Sequence, residues 1–305
     1  MAEEMKVWLD GNLIDQTDAK VPILTHSLQY GSGIFEGIRS YETSTGTAIF
    51  RLDDHVKRFF NTAKIYYMDL AHTHEQIKNA IIDTVKINKL KSSYIRPFAF
   101  FNDSRIGVHT KGKPISVFVA ALPYGAYFGK AQETGLRCKV SSWHRISSTI
   151  LPIQAKASGN YLNSIIANAE VTKAGFDEAI LISSNGFVAE GPGSNLFLVQ
   201  DGKLVTPNKD SDILLGITRD SIIKIAKTLN LEVVERFVHR EELYTSDEMF
   251  MAGTAAEITP VVSVDEIGIG NRKPGKITKQ LAEKFSEVVH GKNKYFSEWL
   301  TEFTL

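Results

Sequence analysis

The chain has 305 residues, 43% hydrophobic and 23% charged, a length and balance that suit two folded domains and argue against disorder. Lys+Arg and Asp+Glu both number 35, so the net charge is zero and gives no electrostatic reason to expect nucleic acid or a membrane surface as partner. The single cysteine, Cys138, excludes an internal disulfide framework and fits a reducing compartment.

The first residues, MAEEMKVWLDG, are acidic and lack an apolar run, so they do not read as a secretory signal. No stretch approaches the ~18 apolar residues expected of a membrane span. A soluble, cytoplasmic protein is the expectation. VWLDGNLI (residues 7–14) predicts a hairpin, with Asp-Gly between short apolar runs. A helix follows, with Val56, Phe59, Phe60 and Ala63 at helical spacing, and then a second with Ile77, Ile81 and Val85 on one side. SSYIRPFAFF predicts a strand whose alternation puts Tyr94, Arg96, Phe98 and Phe100 on one face. ISVFVAAL (residues 115–122) predicts a buried strand. The glycines and proline of PYGAYFGKAQETG break the pattern. We place a smaller α/β domain over residues 1–122, a linker over 123–134 and a larger domain over 135–305.

In the second half, LRCKVSSW predicts a strand with Cys138 at a buried position. The next helix sets Leu162, Ile165, Ile166 and Ala169 on an apolar face and stops near Gly175. Successive strands turn at Asn185-Gly186 and Asp201-Gly202. A helix opens at GITRD and carries Ile222, Ile225, Ala226 and Leu229. DEMFMAGTAAEITPV ends a strand in a turn of small residues, and the last helix holds Ile277, Leu281, Phe285 and Val288. The class is α/β (α+β) in two domains.

Several familiar sites are absent from the sequence. GSGIFEG and GPGSN lack dinucleotide-binding spacing, and there is no GxxxxGK[ST] and no GxSxG. His72 and His74 form an HxH in a polar loop without further ligands, so no metal is expected. What remains is scattered. LLGITRD offers a helix start suited to phosphate, though Thr218 could equally be a plain N-cap. The MAGTAAEIT turn can grip an anion through its amides. Arg58 reads most simply as a surface charge and Glu190 as a solvated strand-end acid. Lys156, in QAKASGN, has small neighbours that would let a bulky group reach its amine.

Taken in order, VPILTHSLQYGSGIFEGIRSY, YIRP, AKASGNYLNS, AEGPGSNLF, LLGITRD and MAGTAAEITPV span nearly the whole chain. Together they closely resemble the branched-chain amino-acid aminotransferases, of the fold-type IV enzymes that use pyridoxal 5′-phosphate. The resemblance implies that fold, that cofactor in the larger domain, and reversible amino transfer between leucine, isoleucine or valine and 2-oxoglutarate. It implies Lys156 as the Schiff-base lysine, Glu190 as partner of the pyridine nitrogen and Tyr161 beside the phenolic oxygen. It implies Arg58, Ile217, Thr218 and Thr254 around the phosphate. Tyr94 and the amides near Thr254 and Ala255 would hold the substrate's α-carboxylate, and Arg96 would meet glutamate's second carboxylate. Phe35, Gly37, Tyr30, Tyr124 and Val108 would line the side-chain pocket, part of it supplied by a neighbouring subunit, so a homodimer or larger homo-oligomer is implied. Pro192, Leu215 and Ser158 depart from commoner residues of the family without removing a catalytic group. D-amino-acid aminotransferase and aminodeoxychorismate lyase share the fold and remain the alternatives.

Overall fold

In the computed structural model, residues 5–305 are described. The first four residues, on which part of the N-terminal reading rests, lie outside them. Strands β1 (Lys6–Leu9) and β2 (Asn12–Asp15) form the expected hairpin. Asp10 and Gly11 at its tip both have positive φ, 45° and 98°, the conformation a two-residue turn between twisted strands requires. Then come α1 (His26–Tyr30), β3 (Gly33–Phe35), β4 (Ile38–Thr43), β5 (Gly46–Phe50), α2 (Leu52–Ile65) and α3 (His74–Ile87). Helix α3 is started by a reciprocal cap, in which Thr73 accepts from the Gln76 N–H and Gln76 accepts from the Thr73 N–H. β6 (Ser93–Phe101) and β7 (Ile115–Pro123) complete this part of the chain.

These strands form one sheet in the order C-terminal strand (Leu300–Phe303), β5, β4, β6, β7, β1, β2, with β3 also paired to β6. Helices α2 and α3 bury Leu52, Val56, Phe59, Ile77, Ile81 and Val85 with Ile38, Ile95 and Val119 of the sheet. Each such fully buried side chain stabilises the fold by about 1.5–3 kcal/mol. β6 is central and alternates as its sequence predicts: Ile95 and Ala99 are fully buried, and Tyr94, Arg96 and Phe98 are the less buried set. His72 packs edge-on against Trp8 and His74 stacks on Phe60, so the two rings of the HxH go to different aromatic partners.

The second sheet is built from β8 (Leu136–Val140), β9 (Glu178–Ile180), β10 (Asn195–Gln200), β11 (Lys203–Pro207), β12 (Val233–Arg236), β13 (Glu248–Gly253), β14 (Glu257–Val264) and β15 (Ile267–Gly268). The order is β12-β11-β10-β13-β14-β8-β9, with β15 on β14. α4 (Ala131–Thr134) precedes β8; between the strands run α5 (Tyr161–Lys173), α6 (Ile217–Thr228) and α7 (Glu242–Thr245), followed by α8 (Lys276–Val289). β8 and β9 are parallel and joined through α5, and β11 and β12 are parallel and joined through α6, as parallel pairing demands a crossover. Cys138 is fully buried in this core with Leu136, Ile180, Leu198 and Met251, and burial raises its thiol well above the ordinary range. No helix among the described residues is long and apolar enough to cross a membrane.

Two features differ from the sequence reading. The face of α5 expected to be buried is exposed: Leu162, Ile165 and Ile166 are 63%, 60% and 42% accessible, and Ser164, Ala167 and Val171 are buried. Small residues let the helix approach β9, and the bulkier side chains point away from it. The chain also divides into two compact units that are not contiguous segments. The first comprises Met1–Gly125, Ala155–Gly159 and Val288–Leu305, and the second Ala126–Gln154 and Asn160–Glu287. The C-terminal strand joins the first unit because it pairs with β5. Residues 155–159 join it because Ala157 bridges to Ile34 and the Phe35 N–H donates to the Lys156 carbonyl.

Candidate active site

The expected groups fall into two sets, one in each unit. In the first unit, Lys156 sits on an irregular segment held at both backbone atoms. Its carbonyl accepts from the Phe35 N–H at 2.9 Å, and its own N–H donates to Thr62 Oγ1 at 3.2 Å. Small residues are needed here for packing as well as for access. Ala155 and Ala157 are buried, and a Cβ on Gly31 would lie 3.4 Å from the Gly159 Cα. The Lys156 side chain is half-buried, and its Nζ lies 4.9 Å from the centroid of the Phe35 ring.

Strand β6 brings the other expected groups to that ring. The Arg96 guanidinium stacks 4.3 Å from the Phe35 centroid, and Arg96 Nη2 donates to Tyr94 Oη at 3.0 Å. The Tyr94 and Tyr124 rings are 4.9 Å apart. Gly37 is explained by the same cluster: a Cβ there would fall 2.1 Å from Tyr94 Oη, so any side chain would displace the hydroxyl. Phe35, Gly37, Tyr94, Arg96, Tyr124 and Lys156 are thus gathered. Tyr30 and Val108 form a second group, in which Tyr30 Oη accepts from the Gly107 N–H at 3.0 Å. Val108 is 74% exposed.

Arg58 is more than a surface charge. Its Nε and Nη2 donate to the two oxygens of Glu36 at 2.6 and 2.8 Å, and His55 Nδ1 lies 2.7 Å from Glu36 Oε2. Burial would raise the Glu36 carboxyl, but the charge and hydrogen bonds of Arg58 and His55 outweigh it and hold it well below the usual carboxylate range. Burial lowers His55 more than Glu36 raises it, and the nearby cations Arg58 and Lys156 add to the lowering. A neutral ring facing a carboxylate must carry its proton on Nδ1 and donate it. Neither Glu36 nor His55 was picked out from the sequence. The signal available was the pairing of His55 and Arg58 three residues apart on one helix face.

In the second unit, Glu190 is buried and fully engaged, which excludes a solvated strand-end acid. Arg145 Nε donates to one oxygen and Asn195 Nδ2 to the other, both at 2.9 Å, and the Leu214 N–H lies 3.2 Å from each. Arg145 is itself buried and is the carboxylate's counter-ion; nothing in its local sequence marks it. Tyr161 is the first residue of α5 and is half-buried.

Helix α6 starts at Ile217 with Gly216 in the N-cap position, extended and without a side-chain cap. Thr218 is therefore inside the helix and is not its cap. The N–H groups of the first turn have no intrahelical acceptor and carry the positive end of the helix dipole. A Cβ on Gly216 would fall 2.2 Å from Asn195 Oδ1, so the same asparagine that holds Glu190 requires glycine at this helix start. The Thr254–Ala256 turn follows β13, and a Cβ on Gly253 would meet the carbonyl of Gly193 at 3.2 Å. Beside it, Ser194 Oγ is buried without a hydrogen-bond partner among the described residues. An uncapped helix start, an orphaned hydroxyl and a buried carboxylate fit a group that has an anionic end and a protonated ring nitrogen.

A family model described as amino-transferase class IV matches residues 33–264. The branched-chain-amino-acid aminotransferase of Escherichia coli (strain K12) is 43% identical over 298 residues, covering 97% of this chain and 96% of that protein. The crystal structure of the T.th. branched-chain amino acid aminotransferase with pyridoxamine 5′-phosphate is 44% identical, with a TM-score of 0.95 over 98% of both chains. The same enzyme complexed with N-(5′-phosphopyridoxyl)-L-glutamate aligns with a TM-score of 0.93 and 42% identity over 98% of both chains.

Proposed function

This chain belongs to the class IV amino-transferases, and on that premise we propose that it is a pyridoxal 5′-phosphate-dependent branched-chain aminotransferase of fold type IV. It moves the amino group reversibly between leucine, isoleucine or valine and 2-oxoglutarate by a ping-pong route. Bound, the cofactor supplies an electron sink for charge developing at the substrate Cα. The protein's residues do the rest. Lys156 would hold the cofactor covalently through its Nζ and, as the free amine, would take and return the proton of the substrate Cα. Glu190, paired with Arg145, would face the pyridine nitrogen and favour its protonated form. Tyr161 would donate to the phenolic oxygen, and Arg58, Ile217, Thr218 and Thr254 would hold the phosphate. Tyr94 and the amides of Thr254 and Ala255 hold the α-carboxylate. Tyr30, Phe35, Gly37, Tyr124 and Val108 shape the side-chain pocket.

The observation that carries this reading is the placement of Lys156 and Arg96 against one aromatic ring. The site must accept leucine's apolar chain and glutamate's carboxylate in turn, and a bare buried charge would penalise leucine. With its Cζ over the Phe35 ring and a donor on Tyr94, the Arg96 guanidinium keeps partners of its own while an apolar chain is bound. It can turn its donors to a second carboxylate. The complex of the T.th. enzyme with a phosphopyridoxyl-glutamate adduct supports a glutamate half-reaction. The enzyme acts in the cytoplasm as a homodimer or larger homo-oligomer whose pocket a second copy completes. The exposed Val108 and the exposed apolar face of α5 support that assembly.

The test is a half-reaction panel, in which L-leucine, 2-oxoglutarate, D-alanine and aminodeoxychorismate are each mixed with the appropriate cofactor form and its absorption followed. L-leucine and 2-oxoglutarate should react, and D-alanine and aminodeoxychorismate should not. Arg96→Gln should weaken 2-oxoglutarate and glutamate selectively, by about 10- to 150-fold in kcat/KM, the worth of a charge-assisted hydrogen bond. Equal losses for leucine and 2-oxoglutarate would show that Arg96 supports the site's structure and does not read the second carboxylate.

A further inference from the structure

Among the described residues of the first unit, Glu36 is the one carboxylate that is wholly inaccessible, and no role assigned above in amino transfer falls to it. It lies in the β3–β4 connection, directly after Phe35. Its two oxygens take a bidentate bond from Arg58 and a third contact from His55, both on the buried side of α2. Arg58 is the part of this cluster with remaining accessibility, 15% against 0% for Glu36 and 1% for His55. The arginine therefore has its stem and inner edge fixed from behind while part of it reaches the surface of the cluster.

A buried ion pair is a poor device for stability, because desolvating both charges offsets most of their attraction. A bidentate carboxylate–guanidinium pair does something else well: it fixes the plane and rotation of a long, otherwise mobile side chain. His55, neutral and donating from Nδ1, adds a second restraint without adding a charge that would compete for Glu36. We propose that Glu36 is a positioning residue for cofactor capture, holding the Arg58 guanidinium, with His55 as second clamp, in the orientation that receives the cofactor's phosphate. The inference rests on Arg58 being a phosphate ligand, so its test must separate the two ideas.

The measurement is the Kd of the cofactor-stripped full chain for pyridoxal 5′-phosphate and, separately, for pyridoxal, which lacks the phosphate. Glu36→Gln keeps the shape and removes the charge. It should weaken pyridoxal 5′-phosphate by about 10- to 100-fold, the worth of a charge-assisted contact, and change pyridoxal by less than about threefold. A merely structural role would move both ligands together, and equal losses, or none, overturn the proposal. Arg58→Gln in the same assay should show the same phosphate-specific loss, and the double variant should be no worse than Arg58→Gln alone. If Arg58→Gln leaves the ratio of the two affinities unchanged, the phosphate reading of Arg58 fails and this inference with it. If Arg58→Gln shows the loss and Glu36→Gln does not, only this inference fails. Glu36→Asp retains the charge with shorter reach and should also lose phosphate-specific affinity. Failure of both Glu36 variants to fold, with Arg58→Gln folded by circular dichroism, would assign Glu36 to the fold and overturn the proposal.

Discussion

Lys156→Ala is expected to reduce turnover below detection while the protein stays folded. The backbone at this position is held by the Phe35 N–H and by Thr62, and neither contact involves the amine. Alanine also matches the buried residues on either side, Ala155 and Ala157. What is lost is the only group proposed both to bond the cofactor and to shuttle the proton. General acid–base catalysis alone is worth about 10²- to 10⁴-fold, and loss of the covalent route compounds it. Borohydride reduction of the parent followed by peptide mapping should place a pyridoxyl label on Lys156, and the variant should take up none. A label on any other lysine of the parent would overturn the assignment.

Glu190→Gln should have the next largest effect. The amide fits the same space between Arg145, Asn195 and the Leu214 N–H. It cannot hold a proton on the pyridine nitrogen, and it leaves the buried Arg145 without its counter-ion. Loss of one preorganised electrostatic partner costs roughly 10²- to 10³-fold in rate, so the half-reaction with L-leucine should slow by that order while the cofactor remains bound. Rapid-mixing absorbance measurements read this directly. An unchanged rate in a folded, cofactor-loaded variant would mean that the carboxylate partner lies elsewhere.

Local periodicity was enough for the hairpin at Asp10-Gly11, for helices α2 and α3 and for the alternation of β6, because each is decided by neighbours a few residues apart. It failed on α5. Leu162, Ile165 and Ile166 do lie on one helix face, but spacing says only that a helix is amphipathic, not which face meets the sheet. The small face of Ser164 and Ala167 packs more closely against β9. It failed also on the division of the chain, since Ala157 bridging Ile34 and Thr301 pairing with Ile49 leave no local trace. The site divides the same way. Lys156, Tyr94, Arg96 and Gly37 stand inside motifs and were legible. Glu36 acts through partners 19 and 22 residues away in the chain, His55 through one 19 away and Arg145 through one 45 away, and only folding brings them together.

The pairing of Leu300–Phe303 with β5 bears on how the protein is made. Among the described residues no other strand covers the outer edge of β5, and its partner, Thr301 opposite Ile49, lies some 250 residues later in the chain. At a synthesis rate of about 5–20 residues per second, the ribosome needs roughly 10–50 s to reach that partner after β5 has emerged. Throughout that interval the nascent first unit carries an open strand edge, which is a template for pairing with other chains. The backbone anchor that precedes the pairing, the Arg51 N–H donating to the Trp299 carbonyl with the indole against Phe50, is missing for just as long. The part of the molecule that leaves the ribosome first is thus completed last, and a nascent chain stalled after the second unit would still expose β5 to aggregation.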